Sequence, residues 1–336
     1  MYADLSEPEL RSYRSSQLDP ADFDEFWSTT LTEARTFDLD VRVEQVDTGL
    51  TTVDVFDITF AGYGGEPIKA WLRLPAGASA PLPAVVEYAG YSGGRGRPID
   101  HLLWASAGFA HFQMDSRGQG GGISVGDTPD PHGSGSQAGG FLTRGIESRD
   151  TYYYRRLFTD AVRAVEAARA LDAIDSSRVA VLGGSQGGGI ALAVAGLVPD
   201  LSAVVALVPF LCDFPRSMVM SSLGPYDELV KYFAVHRERL GLIDTTLPYF
   251  DAVNFAKRAV APAWLSVALM DRVCPPSSVF GAFQAYKGEK DIAIWPFNEH
   301  EGGGIDDDAR ALEALRGAFA VRSLPARRGG RRAHRG

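Results

Sequence analysis

The sequence contains little cysteine. Only Cys212 and Cys274 occur among its 336 residues, and neither lies in a CxxC motif or beside clustered histidines. A disulfide framework and a zinc site both require several such residues at short spacings. We therefore predict two buried, reduced thiols, no metal site and no other cofactor.

Long apolar runs are also missing. The longest, residues 201–212, is interrupted by Ser202 and Pro209 and falls well short of the roughly 20 residues that span a bilayer. The first residues, MYADLSEPEL, have neither the basic nor the apolar region of a signal peptide. We therefore predict no membrane segment and a cytoplasmic location.

The main part of the chain has no excess of positive charge. The formal net charge is -9, although residues 321–336 carry six arginines and no acidic residue. An acidic surface repels nucleic acid, so we expect no nucleic-acid partner. Residues 321–336 hold too few apolar side chains to pack, which predicts a disordered basic tail, with a polyanion-binding arm as the alternative.

Short apolar runs recur and alternate with segments that can form helices. They lie at 84–88, 110–114, 179–182, 203–208, 264–270 and 292–295. Continuous apolar strands are typical of a parallel sheet covered by helices on both faces. The β-rich runs 51–60 and 67–75 flank AGYGG and predict an antiparallel hairpin. We predict one α/β domain over residues 1–320, with residues 209–261 inserted as a helical lid.

Three serines lie in the pattern G-x-S-x-G, which marks the nucleophile of the α/β-hydrolase fold at a tight turn between strand and helix. Ser92 follows a predicted strand, but the next residues, GGRGRP, cannot begin a helix. Ser124 lies in a glycine-rich loop. Ser185 directly follows the strand RVAVLGG and precedes QGGGIALAVA, whose small residues suit a helix packed closely on a strand. We therefore predict that Ser185 is the nucleophile.

The partners of a nucleophile in this fold follow it in the order carboxylate, then histidine, each after a later strand. Of six histidines, three precede Ser185, one lies in the predicted lid and one in the basic tail, which leaves His300. Asp271 ends the preceding strand. Glu301 adjoins His300, but a neighbouring side chain cannot easily reach the ring nitrogen. We predict a triad of Ser185, His300 and Asp271.

Such a triad requires two backbone amides that stabilise the tetrahedral oxyanion. The residue after the nucleophile supplies one, and the loop after an early strand supplies the other. Gln186 occupies the first position. Tyr91, within YAGYSGG at residues 88–94, is well placed for the second, because the adjacent glycines leave the backbone open to substrate. We predict an oxyanion hole formed by Tyr91 and Gln186.

Several motifs together resemble carbohydrate esterase family seven, the acetyl xylan esterases and cephalosporin C deacetylases. The motifs are DFDEFW (22–27), RGQG (117–120), GGSQGG (183–188), PFLCDFPR (209–216), CPP (274–276) and HE (300–301), and the similarity spans nearly all of residues 22–319. The resemblance implies deacetylation of small acetylated carbohydrates, such as xylo-oligosaccharides, and of cephalosporin C, without a cofactor, in a cytoplasmic homohexamer. It also implies that Arg117 and Gln119 support the site.

The chain departs from this family in its oxyanion segment. Relatives usually have His-Gly-Tyr, whereas Ala89 precedes Gly90 and Tyr91 here. The arginine-rich tail is also outside the family pattern. Both departures leave the predicted Tyr91 amide in place, although the acyl preference and local hydrogen bonding can differ.

The predicted lid supplies candidates for the acyl pocket. Phe210, Leu211 and Pro225 are bulky, and we predict that they contact the acyl group and restrict it to acetate.

Two other functions fit parts of the sequence. GGSQGG also suits a prolyl-oligopeptidase-type peptidase, although the chain is too short for a propeller domain. A noncatalytic binding protein on the same scaffold is the other alternative, against which the complete triad argues.

Overall fold

One mixed sheet organises the residues that the computed structural model describes, 2–132 and 140–322. Within these residues there are nine strands: β1 (Arg42–Val46), β2 (Val53–Ala61), β3 (Pro67–Pro75), β4 (Leu82–Tyr88), β5 (Ala110–Met114), β6 (Ile174–Gly184), β7 (Ala203–Leu207), β8 (Ala263–Ala268) and β9 (Lys290–Trp295). They pair in the order β1-β2-β3-β5-β4-β6-β7-β8-β9. The strands β1 to β3 are antiparallel to their neighbours, whereas β5, β4 and β6 to β9 run parallel.

Helices cover both faces of this sheet. The same described residues contain α1 (Glu7–Ser12), α2 (Phe23–Ala34), α3 (Leu103–Ser106), α4 (Tyr153–Arg169), α5 (Gln186–Leu197), α6 (Phe214–Met220), α7 (Tyr226–Val235), α8 (Leu242–Thr245), α9 (Ala252–Ala256), α10 (Pro276–Ala285) and α11 (Ile305–Arg322). Successive side chains of a strand face opposite sides. Val86 of β4 accordingly joins the core that includes α4 and α5, whereas Val85 joins the core that includes α3 and α11. The predicted α/β fold is confirmed.

Most predicted strands form, and their boundaries shift by a few residues. The hairpin predicted at 51–60 and 67–75 is the antiparallel pair β2 and β3. The edge strand β1 was not predicted from the sequence, because four of its five residues are exposed and show no apolar periodicity. Residues 209–261, which we call the inserted segment, contain α6 to α9 between β7 and β8.

Both cysteines are buried, and they do not form a disulfide bond with each other. Within the described part of the chain, no helix is both long and apolar enough to cross a membrane. The predicted disordered tail lies almost entirely outside the described residues, which end at position 322.

Candidate active site

Ser185 lies at the tight turn between β6 and α5. Its φ of 54° is in the left-handed region, which side-chain-bearing residues rarely adopt. Glycines make the turn compact. A Cβ atom at Gly187 would lie 2.1 Å from the carbonyl oxygen of Tyr88, and one at Gly183 would lie 2.3 Å from the Gly187 carbonyl carbon. This close packing presents Ser185 at the carboxyl edge of the parallel strands, where α/β proteins bind ligands.

The structure brings Ser185, His300 and Asp271 together. Nε2 of His300 lies 2.9 Å from Oγ of Ser185, and Nδ1 of His300 lies 2.8 Å from Oδ2 of Asp271. The other carboxylate oxygen of Asp271 accepts the amides of Val273 at 2.8 Å and Cys274 at 2.9 Å. Because Asp271 is only 1% exposed and its Oδ1 is held by these amides, Oδ2 is directed at the imidazole.

The loop that carries His300 is anchored by Asp307, at the start of α11. Oδ2 of Asp307 accepts the Gly303 amide at 2.9 Å and the Ser266 hydroxyl at 2.9 Å. Its Oδ1 accepts the indole N–H of Trp295 at 3.0 Å. One carboxylate thus joins β8, β9 and the histidine loop. Sequence reasoning missed this residue, because nothing local distinguishes it within the acidic run at 306–308.

The other candidates weighed from the sequence lie apart from this hydrogen-bond chain. Glu301 is directed into its own loop, where it accepts the side-chain amide of Asn298 at 3.0 Å. Ser92 and Ser124 belong to two glycine-rich loops that pack on each other. The Ser124 hydroxyl donates to the Gly94 carbonyl across these loops at 2.7 Å. Of the three G-x-S-x-G serines, Ser185 is the one that His300 contacts.

Both residues predicted to form the oxyanion hole lie beside the nucleophile. Gln186 begins α5, so its amide is among those that have no acceptor within the helix. Tyr91 lines the same cleft as the serine. The buried Gln186 side chain connects the two regions, because its Nε2 donates to the Ala89 carbonyl at 3.3 Å. Gln119 donates to Gln186 at 3.0 Å and accepts the Ser92 amide at 2.7 Å, which further fixes this loop.

Arg117 is fully buried in an ion-pair cluster. It donates to both oxygens of Asp160 at 2.6 and 2.8 Å, and to Glu66 at 2.5 Å. Burial alone would lower the pKa of Arg117, but the carboxylates of Asp160 and Glu66 hold it above its ordinary value. These contacts join the loop after β5 to α4, which is the structural role expected for this motif.

The cleft above Ser185 has a volume of about 470 Å³. Pro225 lines it as predicted, but Phe210 and Leu211 do not. Both are fully buried, and the ring of Phe210 packs 6.0 Å from that of Tyr91 and 4.4 Å from that of Tyr226. The prediction that Phe210 and Leu211 contact the acyl group is therefore wrong. Leu211 adopts a φ of 64°, and at this turn the Phe210 amide donates to the backbone carbonyl of Ser185 at 2.9 Å.

Asp271, Cys274 and His300 offer potential metal-ligand atoms within 4.8 Å of one another. Burial raises the pKa of the Cys274 thiol well above its ordinary value, so the thiol stays protonated and is a poor metal ligand. Asp271 and His300 are already hydrogen-bonded to each other. The contact between Asp271 and His300 therefore suits orientation of the imidazole better than metal binding.

Comparisons with known proteins identify relatives over most of the chain. The family described as Acetyl xylan esterase (AXE1) matches residues 1–315. A curated relative, acetyl esterase Axe7A from Xylanibacter ruminicola, is 29% identical over 298 residues, which cover 84% of this chain and 63% of the relative. The chain thus spans less than two thirds of the length of that curated relative.

Two solved structures are similar over nearly their whole length. An acetyl xylan esterase from a Paenibacillus species is 35% identical, with a TM-score of 0.86, and the match covers 92% of this chain and 99% of that one. Acetyl xylan esterase 1 from a Thermoanaerobacterium species is 32% identical, with a TM-score of 0.85, covering 93% and 99%.

Proposed function

Because the chain belongs to the acetyl xylan esterase family, a family of carboxylic ester hydrolases, we propose that it is a serine esterase acting on acetyl esters of small carbohydrates. The observation that carries this proposal is the hydrogen-bond chain from Ser185 through His300 to Asp271 at the floor of the cleft. Acetylated xylo-oligosaccharides are the proposed substrates, with cephalosporin C as a further one.

The proposed reaction proceeds through an acetyl-enzyme. The hydroxyl of Ser185 attacks the ester carbonyl while Nε2 of His300 removes its proton, and Asp271 orients the imidazole and stabilises its charged form. The amides of Tyr91 and Gln186 stabilise the oxyanion. The imidazolium then protonates the sugar oxygen as the acyl C–O bond breaks, so that the sugar leaves with a free hydroxyl. Water, activated by the same histidine, attacks the acetyl-serine and releases acetate.

The cleft offers both apolar and acidic groups to such a substrate. Ile123, Pro225 and Val273 provide apolar surface, whereas Asp308 provides a carboxylate that can accept hydrogen bonds from sugar hydroxyls. Since Pro225 comes from the inserted segment, we propose that this segment acts as the lid.

A cytoplasmic homohexamer, supported by the family resemblance, is also proposed, and analytical ultracentrifugation would test the oligomer number.

A substrate panel tests the proposed function. One enzyme preparation would be given acetylated xylo-oligosaccharide, cephalosporin C and an aminoacyl peptide, with Ser185→Ala as the matched control. We expect acetate release from the first two substrates, no cleavage of the peptide and no activity in the variant. Peptide cleavage without deacetylation would favour the peptidase alternative, and no reaction with any substrate would favour a binding protein.

A further inference from the structure

Three segments that are distant in sequence meet at the side chain of Tyr91. Its hydroxyl donates to Oε1 of Glu228, in α7 of the inserted segment, at 2.7 Å. The same hydroxyl oxygen accepts the Phe141 amide at 2.7 Å. The other carboxylate oxygen of Glu228 accepts the Leu142 amide at 3.1 Å. The loop after β4, residues 141–142 and the inserted segment therefore share one hydrogen-bonded junction.

This junction leaves the tyrosine side chain little freedom. A Cβ atom at Gly140 would lie 2.4 Å from the Tyr91 hydroxyl and 2.5 Å from Oε1 of Glu228, so any larger residue there would displace both. The ring of Tyr91 is also packed edge-on against Phe141, at 5.6 Å, and Phe210, at 6.0 Å. Contacts on several sides thus hold the ring in one position.

The chemistry of the junction requires a carboxylate at position 228. Among the described residues, the groups that hydrogen-bond to its oxygens are donors: the Tyr91 hydroxyl and the backbone amides of Gly140 and Leu142. The hydroxyl cannot reverse its role without cost, because accepting from position 228 as well as from the Phe141 amide would take away the acceptor of its own proton. A glutamine would keep the shape of Glu228 but place an N–H group against one of these donors.

We propose that Glu228 is a positioning residue for the oxyanion hole, because it holds the side chain of Tyr91 and thereby the backbone amide of the same residue beside Ser185. This inference rests on the proposed function. Oxyanion donors accelerate acyl transfer only when they are preorganised at hydrogen-bond distance. On this basis the inserted segment completes the catalytic machinery as well as lining the cleft.

The first experiment compares Glu228→Gln with Asp227→Asn. Asp227 is the matched control, since it adjoins Glu228 but its carboxylate is exposed and pairs with Lys231 at 2.5 Å. For nitrophenyl acetate we expect Glu228→Gln to lower kcat about 10- to 100-fold with KM changed less than about twofold, because a displaced donor weakens binding of the transition state only. The control should keep kcat within about twofold.

A tetrahedral probe separates positioning from general damage. A trifluoromethyl ketone adds to the serine and places an oxyanion in the hole, so its affinity for Glu228→Gln should fall in parallel with kcat/KM. Tyr91→Phe, which keeps the amide but removes the hydroxyl, should cause a similar loss. The two losses should not be additive in the double variant, because both remove the same contact.

The outcomes decide between two failures. If the wild-type protein shows no esterase activity, the proposed function and this inference both fail. If the wild type is active and folded Glu228→Gln keeps wild-type kcat, or changes KM alone, only the positioning role is overturned. Should Glu228→Gln fail to fold by circular dichroism, Tyr91→Phe decides, and wild-type kcat in that variant would overturn the inference.

Discussion

The two sides of the cleft are held in place by different means. On the triad side, Ser185, Asp271 and His300 follow the ends of the parallel strands β6, β8 and β9, so the sheet itself brings them together. On the oxyanion side, Tyr91 is held by side-chain and backbone contacts from residues 50 and 137 positions away. The proposed triad thus takes its position from strand ends of the sheet, whereas the loop with the proposed oxyanion donor Tyr91 depends on distant segments.

The largest expected effect comes from substituting the residues of the proposed triad. Replacing Ser185 or His300 with Ala should lower kcat by about 10⁶, because the site then lacks its nucleophile or its general base. Asp271→Asn should lower kcat by about 10⁴, because the imidazole is then held in the wrong tautomer. Steady-state hydrolysis of nitrophenyl acetate measures these losses. They should exceed any loss from the oxyanion side by at least about two orders of magnitude.

The other G-x-S-x-G serines provide the control for that prediction. Ser92→Ala should keep most of the activity. Ser124→Ala should also keep most of the activity, because its hydroxyl contacts another loop rather than a group of the proposed triad. It donates to the Gly94 carbonyl at 2.7 Å and accepts the Gly94 amide at 3.1 Å, and each bond is worth roughly 1 kcal/mol of stability. Near wild-type turnover in Ser185→Ala, together with a large loss in either control, would contradict the assignment.

A smaller effect tests whether the triad side also needs a distant anchor. Asp307→Asn retains one acceptor but sets an N–H group against the donors of Gly303, Ser266 or Trp295. We expect a loss of about 1 to 3 kcal/mol in the free energy of unfolding and about tenfold in kcat, because the histidine loop is displaced. Asp306→Asn, at an exposed neighbouring position, is the control, and equal behaviour of the two variants would refute the anchoring role.

Acyl length gives a comparable effect and tests the wall that Pro225 of the inserted segment and Val273, after β8, contribute to the cleft. Pro225 and Val273 both line the cleft near the serine. We expect kcat/KM for nitrophenyl butyrate to be about 10- to 100-fold below that for the acetate, since a longer chain crowds these side chains. Val273→Ala should bring the kcat/KM values for the acetate and the butyrate closer together. Equal or rising values from acetate to octanoate would show that this wall does not restrict the acyl group.

The smallest effect concerns the pH dependence of Tm and involves Asp251, which precedes α9 in the inserted segment. Burial and the nearby Asp213 carboxylate raise the pKa of Asp251 from its ordinary 3.8 to about 7. The folded chain therefore binds this proton more tightly than the unfolded chain, so the stability it contributes is complete below pH 3.8 and is lost as pH rises through 7. We expect this group to lower Tm by about 2 to 4 °C between pH 5 and 8.

Asp213→Asn isolates that contribution. Removing the neighbouring charge brings the pKa of Asp251 closer to its ordinary value, so the decrease in Tm between pH 5 and 8 should become smaller. Thermal melts followed by circular dichroism at both pH values provide the measurement. An unchanged pH dependence in the variant would show that Asp213 does not contribute to the raised pKa.

Much of the fold could be predicted from sequence patterns, and the same patterns selected the three residues of the proposed triad, which meet in the structure. Apolar runs mark strands that are buried on both faces, and the sequence around Ser185 carries a strand, a tight turn and a helix within a short stretch. The positions of Asp271 and His300 follow from strand order alone. These features are visible in a sequence because burial and turn geometry impose requirements on neighbouring residues.

Other features depend on which distant segments meet. Phe210 and Leu211 are apolar wherever they lie, and only the folded chain shows that both are fully buried, with the Phe210 ring packed on Tyr91, rather than lining the cleft. Likewise, nothing near Asp307 or Glu228 in sequence reveals which groups donate hydrogen bonds to their carboxylates. A hydrogen bond between remote segments constrains two positions at once, and a single sequence shows each position without its partner.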